Sequence, residues 1–185
     1  VQVDGTPVFT AVRGGGRRAL ALDDAGNLWT WGSDTFEALG DGVGGQARTS
    51  AARLAVPSGV NVDRFDAGSS TAGFVDANGR LWAWGAETYG GTGAAGTTVE
   101  PSEVMIPGST LVSLSAGTTT SAAVDDAGAV WTWGEDASGL LGNGQPSSPQ
   151  PTPVRIDVPA SVTTVRLGGS HALALTSEGQ IYAWG

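Results

Sequence analysis

Lysine and cysteine are both missing from this 185-residue sequence, and histidine and methionine occur once each. Without cysteine there is no disulfide, no thiolate metal ligand and no cysteine nucleophile, while the redox compartment stays open. With His171 as the single imidazole, a structural zinc site is excluded. A Ser-His-Asp arrangement would have to be built around that one residue, and no Gly-x-Ser-x-Gly elbow accompanies it. Basic residues are scarce: nine arginines face 18 acidic residues, for a formal charge of −9 and a pI near 4.3. Such a surface repels a phosphate backbone, and only Arg17-Arg18 is locally basic, so no nucleic-acid partner is expected. No apolar run approaches the ~20 residues of a membrane helix. Residues 1–20 carry no signal-peptide pattern, so no membrane partner is expected, and a leader upstream of Val1 stays open.

What the sequence does have is a hydrophobic share of 40%, enough for one core-bearing domain of this length, and 30 glycines. Glycine at that level with no period of three points to frequent tight turns, and hence to many short strands. A repeat confirms the impression. Leu28-Trp29-Thr30-Trp31-Gly32, Leu81-Trp82-Ala83-Trp84-Gly85, Val130-Trp131-Thr132-Trp133-Gly134 and Ile181-Tyr182-Ala183-Trp184-Gly185 are one motif read four times, with final glycines 49 to 53 residues apart. Six residues before each stands a second glycine (Gly26, Gly79, Gly128, Gly179) and seventeen before each a third (Gly15, Gly68, Gly117, Gly168). Leu39-Gly40, Thr92-Gly93 and Leu141-Gly142 keep the register downstream, and each gap then carries prolines.

Within a unit, two apolar runs flank a turn rich in Asp, Gly and Asn, as in Ala19–Leu22, Asp23–Asn27 and Leu28–Trp31. A run before them, such as Leu111–Ser115 or Val162–Leu167, supplies a third strand. The stretch ending near Pro57, Pro107 or Pro159 supplies a fourth at the edge, where a missing amide is tolerated. Four short antiparallel strands in every ~50 residues describe a propeller blade. No sustained 3.6-residue apolar period occurs, so helix is limited to single turns. The expected fold class is therefore all-β, a β-propeller with about four blades present. Residues 1–185 form a single propeller region with units at about 1–53, 54–106, 107–157 and an incomplete 158–185.

The unit resembles the regulator of chromosome condensation repeat, in which a glycine and, three residues on, a histidine precede a small-apolar strand, a turn glycine, an aromatic-x-Trp-Gly strand and Gly-x-Leu-Gly-x-Gly. Gly168-Gly169-Ser170-His171 through Tyr182-Ala183-Trp184-Gly185 fits best, and Gly139-Leu140-Leu141-Gly142-Asn143-Gly144 matches the downstream piece. The histidine position holds Arg18, Thr71 and Thr120 in the other units, and Thr92 replaces a leucine. The resemblance implies a partial ring of a seven-bladed propeller, completed by more chain or by a second copy; a closed four-bladed ring is the third arrangement. It also implies, by analogy with the nuclear members, exchange of nucleotide on a small GTPase; other proteins of this fold are inhibitors or adaptors.

The recurring tryptophans are assigned to packing between blades, with Trp31-Gly32, Trp84-Gly85, Trp133-Gly134 and Trp184-Gly185 as structural residues of the repeat. His171 is expected to be a satisfied, partly buried imidazole. Asp23-Asp24, Asp76 and Asp125-Asp126 lack calcium-loop spacing and suit turns whose carboxylates bond nearby amides. Gly90-Gly91-Thr92-Gly93, with no lysine and no helix after it, is a poor phosphate cradle. No catalytic residue, metal or cofactor is assigned, and the chain is not expected to be an enzyme. Residues 33–53, 86–103 and 135–152 are loops that differ between units, either spacers or the binding surface. As binding surface they present Phe36, Glu37, Arg48, Arg53, Glu87, Tyr89, Glu100, Glu135 and Gln145. The expected function is a non-catalytic scaffold for another protein with a basic or neutral face, with guanine-nucleotide exchange on a small GTPase as the alternative.

Overall fold

A computed structural model of the chain describes residues 7–85, 98–136, 139–145 and 149–185. Among them the chain is all β apart from one 3-10 turn at Thr35–Glu37. Four antiparallel sheets follow one another. The first holds β1 (Phe9–Gly15), β2 (Arg18–Asp23), β3 (Leu28–Gly32) and β4 (Arg48–Arg53), and the second β5 (Val62–Ala67), β6 (Thr71–Asp76), β7 (Leu81–Gly85) and β8 (Thr98–Val104). The third holds β9 (Leu111–Ala116), β10 (Thr120–Asp125), β11 (Val130–Gly134) and β12 (Gln150–Ile156). The fourth has three strands, β13 (Val162–Leu167), β14 (Ala172–Thr176) and β15 (Ile181–Trp184). Strand order within each sheet follows the chain.

The central hairpin of each of the first three sheets is fixed by a carboxylate. Asp23 Oδ1 accepts the amides of Ala25 (3.0 Å) and Asn27 (2.7 Å), closing the turn, while Oδ2 accepts the indole Nε1 of Trp29 at 2.8 Å. Asp76 repeats this with Asn78, Arg80 and Trp82 (3.2 Å), and Asp125 with Ala127, Ala129 and Trp131 (2.9 Å). The turn chemistry expected of these aspartates is what they perform, and their oxygens are engaged with N–H donors. The fourth sheet changes both partners: Thr176 replaces the aspartate and Tyr182 the tryptophan, and Thr176 Oγ1 accepts only the Gln180 amide, at 3.1 Å.

The first strands of the sheets, β1, β5, β9 and β13, lie side by side around the interior. Asp66 Oδ2 accepts the Ala116 amide at 2.9 Å, and Ser115 Oγ accepts the Leu167 amide at 3.0 Å, so β5 is tied to β9 and β9 to β13. The glycine seventeen residues before each Trp-Gly allows this approach. A Cβ on Gly68 would stand 2.0 Å from the Gly117 carbonyl oxygen, well inside van der Waals contact.

The apolar core is a set of layers between sheets. Leu20 and Leu28 pack with Phe65, Phe74, Trp82 and Trp84 between the first two sheets. Val75, Leu81, Leu114 and Trp133 fill the next layer, and Val124, Val130, Val162 and Val165 the third. Trp84 and Trp133 are fully buried, as packing residues should be. Trp31 and Trp184, at the same register in the first and last sheets, are half-buried.

Two expectations need correction. The segments 33–53, 86–103 and 135–152 are not loop throughout, because their later parts are or enter the outer strands β4, β8 and β12. Gly32 pairs with Arg48 and Thr30 with Ala52 across a bulge. These edge strands bury few residues, Pro101 and Val104 on β8 and Ile156 on β12, too few for an alternation to mark them in the sequence. His171 is exposed rather than partly buried, since no sheet among the described residues covers β14 beyond it, and its ring lies against Gly168.

Candidate functional site

Strand pairing decides which connections share an end of the stack. Arg18 pairs with Gly32, so the β1–β2 turn and the long β3–β4 connection leave the sheet together. The Ser33 amide donates to the Arg17 carbonyl at 2.9 Å, and in the third sheet the Glu135 amide donates to Thr119 at 3.1 Å. The Asp-closed hairpin turns lie at the opposite end. One end therefore carries the long, unit-specific loops.

These loops are held from inside. Asp34, buried two residues after the Trp-Gly pair, accepts the amides of Leu39 (3.0 Å) and Gln46 (3.2 Å), and Asp136 accepts that of Leu141 at 3.0 Å. Leu39 and Leu141 are fully buried. The second tryptophan of the following sheet completes the lock: Trp84 Nε1 donates to Ala38 O at 3.0 Å, and Trp184 Nε1 to Leu140 O at 2.8 Å. Gly40, at φ +72°, lies flat on that ring, and an added Cβ would come within 2.5 Å of the indole nitrogen. The Leu-Gly element of the repeat is thus the seat of the neighbouring tryptophan. Asp34 and Asp136 were not singled out from the sequence, although an aspartate two residues after Trp-Gly in two units was a signal available there.

The residues proposed from the sequence fall at two seams. Phe36 and Glu37 lie in the 3-10 turn, where Glu37 has φ +58° and its Oε2 is buried with no hydrogen-bond partner among the described residues. Arg48 is on β4 and pairs with Asp41 (Nη2 to Oδ2, 2.6 Å), bracing the loop. Glu100 is exposed on β8 beside Gly42, whose amide donates to Val99 O at 2.9 Å, so Glu37, Arg48 and Glu100 share the seam of the first two sheets. Glu135 and Gln145 belong to the third sheet's loop; Glu135 is half-buried and Gln145 exposed. Arg53 closes β4 opposite Trp29. Glu87 and Tyr89, like Gly90 to Gly93, lie outside the described residues.

At the first seam two small cavities adjoin and share Ser33 and Thr35. One, of about 310 Å³, is lined by Asp34, Glu37, Gly45 and Ala47. The other, of about 320 Å³, is lined by Gly16, Arg17, Arg18 and Ser69. The first is acidic and the second basic. A larger cavity of about 540 Å³ lies inside the arc against β1, β5, β9 and β13; of its arginines, Arg64 pairs with Asp63 and Arg13 stacks on Phe65 at 5.6 Å. No group of three His, Cys, Asp or Glu side chains able to hold a metal occurs among the described residues.

Residues 127–175 match the family model described as the regulator of chromosome condensation (RCC1) repeat. The chain is 29% identical over 189 residues to the RCC1 domain-containing protein RUG3, mitochondrial, of Arabidopsis thaliana, covering 92% of this chain and 40% of that protein. It is also 29% identical over 188 residues to the human E3 ubiquitin-protein ligase HERC2, 4% of whose length it covers. Among solved structures, human WBSCR16 superposes with a TM-score of 0.87 at 20% identity over 96% of this chain and 47% of its own. Prp20p from Saccharomyces cerevisiae, whose binding to Gsp1p and histones is documented, gives 0.82 at 22% over 96% and 44%. The chain spans less than half the length of each of these proteins, and its four sheets are blades covering part of a seven-bladed propeller.

Proposed function

We infer that this chain, a member of the RCC1 repeat family, forms part of a propeller that works as a non-catalytic scaffold and docks another protein on its loop-bearing end. The observation that carries this reading is the loop at 33–47. It is pinned by the buried Asp34 and by Trp84, so it holds its shape before any partner arrives, and it presents an acidic and a basic cavity side by side. Preformed relief with charges of both signs suits recognition of a protein surface, because little ordering entropy is lost on binding. Catalysis would need a convergent set of titratable groups, and Asp34, Asp41 and Asp136 at this end are engaged in holding loops.

The test is site-specific photo-crosslinking in cell extract followed by mass spectrometry. Crosslinkers at Thr35 and Gln145 on the loop end are compared with crosslinkers at Ser58 and Ser109 on the opposite end. The scaffold reading expects one partner captured repeatedly from the loop end and not from the other. Capture confined to Ser58 and Ser109 overturns it. The second reading, nucleotide exchange, draws on the likeness to Prp20p, which binds Gsp1p. It is separated by following nucleotide release from loaded small GTPases: acceleration by the chain favours exchange, and an unchanged rate leaves the scaffold.

A further inference from the structure

We propose that the basic cavity at the seam of the first two sheets is a receptor for one carboxylate side chain, an Asp or Glu, of the docked protein. The inference rests on the scaffold reading and names the chemistry of one of its contacts.

Arg18 is the centre of the argument. It occupies the position filled by Thr71, Thr120 and His171 in the other units, so the seam of the first two sheets differs from its counterparts by a full charge. It is only 6% exposed, and burial drives its guanidinium down to about 10, with Asp34 acting in the opposite sense. Its Nη2 donates to the carbonyls of Gly68 (2.7 Å) and Thr71 (3.4 Å), its Nε is buried without any partner, and it makes no ion pair among the described residues. A buried guanidinium satisfied only by carbonyls is a charge waiting for a counter-ion. Arg17 stands beside it, exposed, and Ser33, Thr35 and Ser69 bring hydroxyls to the same cavity, with the Ser33 and Thr35 hydroxyls 2.9 Å apart.

Charge balance selects the ligand. Arg17 and Arg18 supply two positive charges, and Asp34, reaching Arg18 through space, offsets one of them. Counting the groups that line this cavity and the one carboxylate that acts on Arg18, a single negative charge completes the set. A phosphate ester, with roughly two negative charges at neutral pH, would overshoot it beside Asp34 and Glu37, which line the adjoining cavity. A planar carboxylate also matches the fork of a guanidinium.

The contact is tested by NMR on the intact chain, following arginine side-chain Nε–Hε signals assigned from R17Q and R18H spectra. The probes are a capped peptide with one glutamate among glycines, the same peptide with glutamine, and inorganic phosphate. The glutamate peptide is expected to move the Arg17 and Arg18 signals saturably and to bind at least about tenfold more tightly than the glutamine peptide. It is expected to weaken as salt is raised, and to lose its effect in R17Q, whose exposed site leaves folding untouched. R18H restores the residue type of the fourth unit and is expected to abolish the contact. Equal response to the two peptides, tighter binding of phosphate, or a response surviving in both variants overturns the carboxylate receptor. Failure here leaves the scaffold reading intact, since that reading is decided by where crosslinks form.

Discussion

Replacing Asp125 separates the hairpin staple from a mere turn preference. The carboxylate accepts four hydrogen bonds: from the amides of Ala127 (3.1 Å) and Ala129 (2.9 Å), from Trp131 Nε1 (2.9 Å) and from Ser109 Oγ (3.1 Å). A buried hydrogen bond to a charged acceptor contributes about 1.5–3 kcal/mol. The two turn amides and the Ser109 hydroxyl regain water once the carboxylate is gone, so Asp125→Ala should cost about 3–4 kcal/mol rather than the sum of four such bonds. Asp125→Asn keeps an oxygen for both amides, and Ser109 can reverse its hydrogen bond. Only the indole then faces a donor, for a cost of about 1–2 kcal/mol. Urea unfolding followed by tryptophan fluorescence and far-UV circular dichroism reads both values, with unchanged slopes confirming that the native state is compared with a similar unfolded one. An alanine variant within about 1 kcal/mol of wild type, or an asparagine variant as damaging as alanine, would refute the staple.

The same carboxylates set the acid limit of the fold. Burial pushes Asp23, Asp76 and Asp125 up, but the indole, amide and side-chain donors around each outweigh it and hold all three below the ordinary carboxylate range; Asp41 is held down likewise, by the Val43 amide and Arg48. A carboxyl lowered by folding contributes stability that is complete above its unfolded pKa of about 4 and is lost as pH falls through the folded value. The urea midpoint should therefore stay level from pH 7 to 5 and drop below about pH 4, less steeply in the double variant D76N/D125N. Gly68→Ala should cost more than about 3 kcal/mol, because the new methyl meets the Gly117 backbone rather than a movable side chain. Gly169→Ala, in open space, should lie within about 0.5 kcal/mol of wild type, and thermal melts of the pair check the contrast. Trp84→Phe removes the donor to Ala38 O and should cost about 2–3 kcal/mol, with faster hydrogen exchange at the Leu39 amide as its local signature.

Periodicity made the sheets legible, and the reason is geometric. The Trp-x-Trp-Gly strand, the turn glycine and the glycine near the axis each meet a steric or packing demand that recurs once per blade, so each leaves a mark at a fixed offset. The Asp-to-Trp staple left one too, a spacing of six residues in three units, and its loss in the fourth is paired: Thr176 and Tyr182 change together. The outer strands left only the prolines in or after them, because strands with no more than two buried residues have no apolar alternation to show. The seam cavities were equally silent in sequence. Arg17-Arg18 was visible as a basic pair, but that Arg18 would be buried while Arg17 stayed exposed depends on how the first sheet packs on the second, and on Thr71 and Gly68 some 50 residues away.

Packing between sheets, rather than within them, also explains which apolar residues the chain needs. Leu20 and Leu28 are fully buried, and so are Ala122 and Val130 at the same registers two units later. In the fourth sheet the equivalent Leu173, Leu175 and Ile181 are 42%, 39% and 69% exposed, although their own strands pair as the others do. Burial at these positions therefore comes from the following sheet, and strand pairing alone does not supply it. If so, Leu173→Thr with Ile181→Thr, which places β-branched strand formers at exposed sites, should change the unfolding free energy of this chain by less than about 1 kcal/mol. Leu20→Thr with Leu28→Thr, the same chemistry one sheet-to-sheet layer inside, should cost more than about 4 kcal/mol through lost transfer energy, cavities and buried hydroxyls. Urea titration of the two double variants decides the matter: comparable losses would mean that each sheet stabilises itself and that the layers between them contribute little.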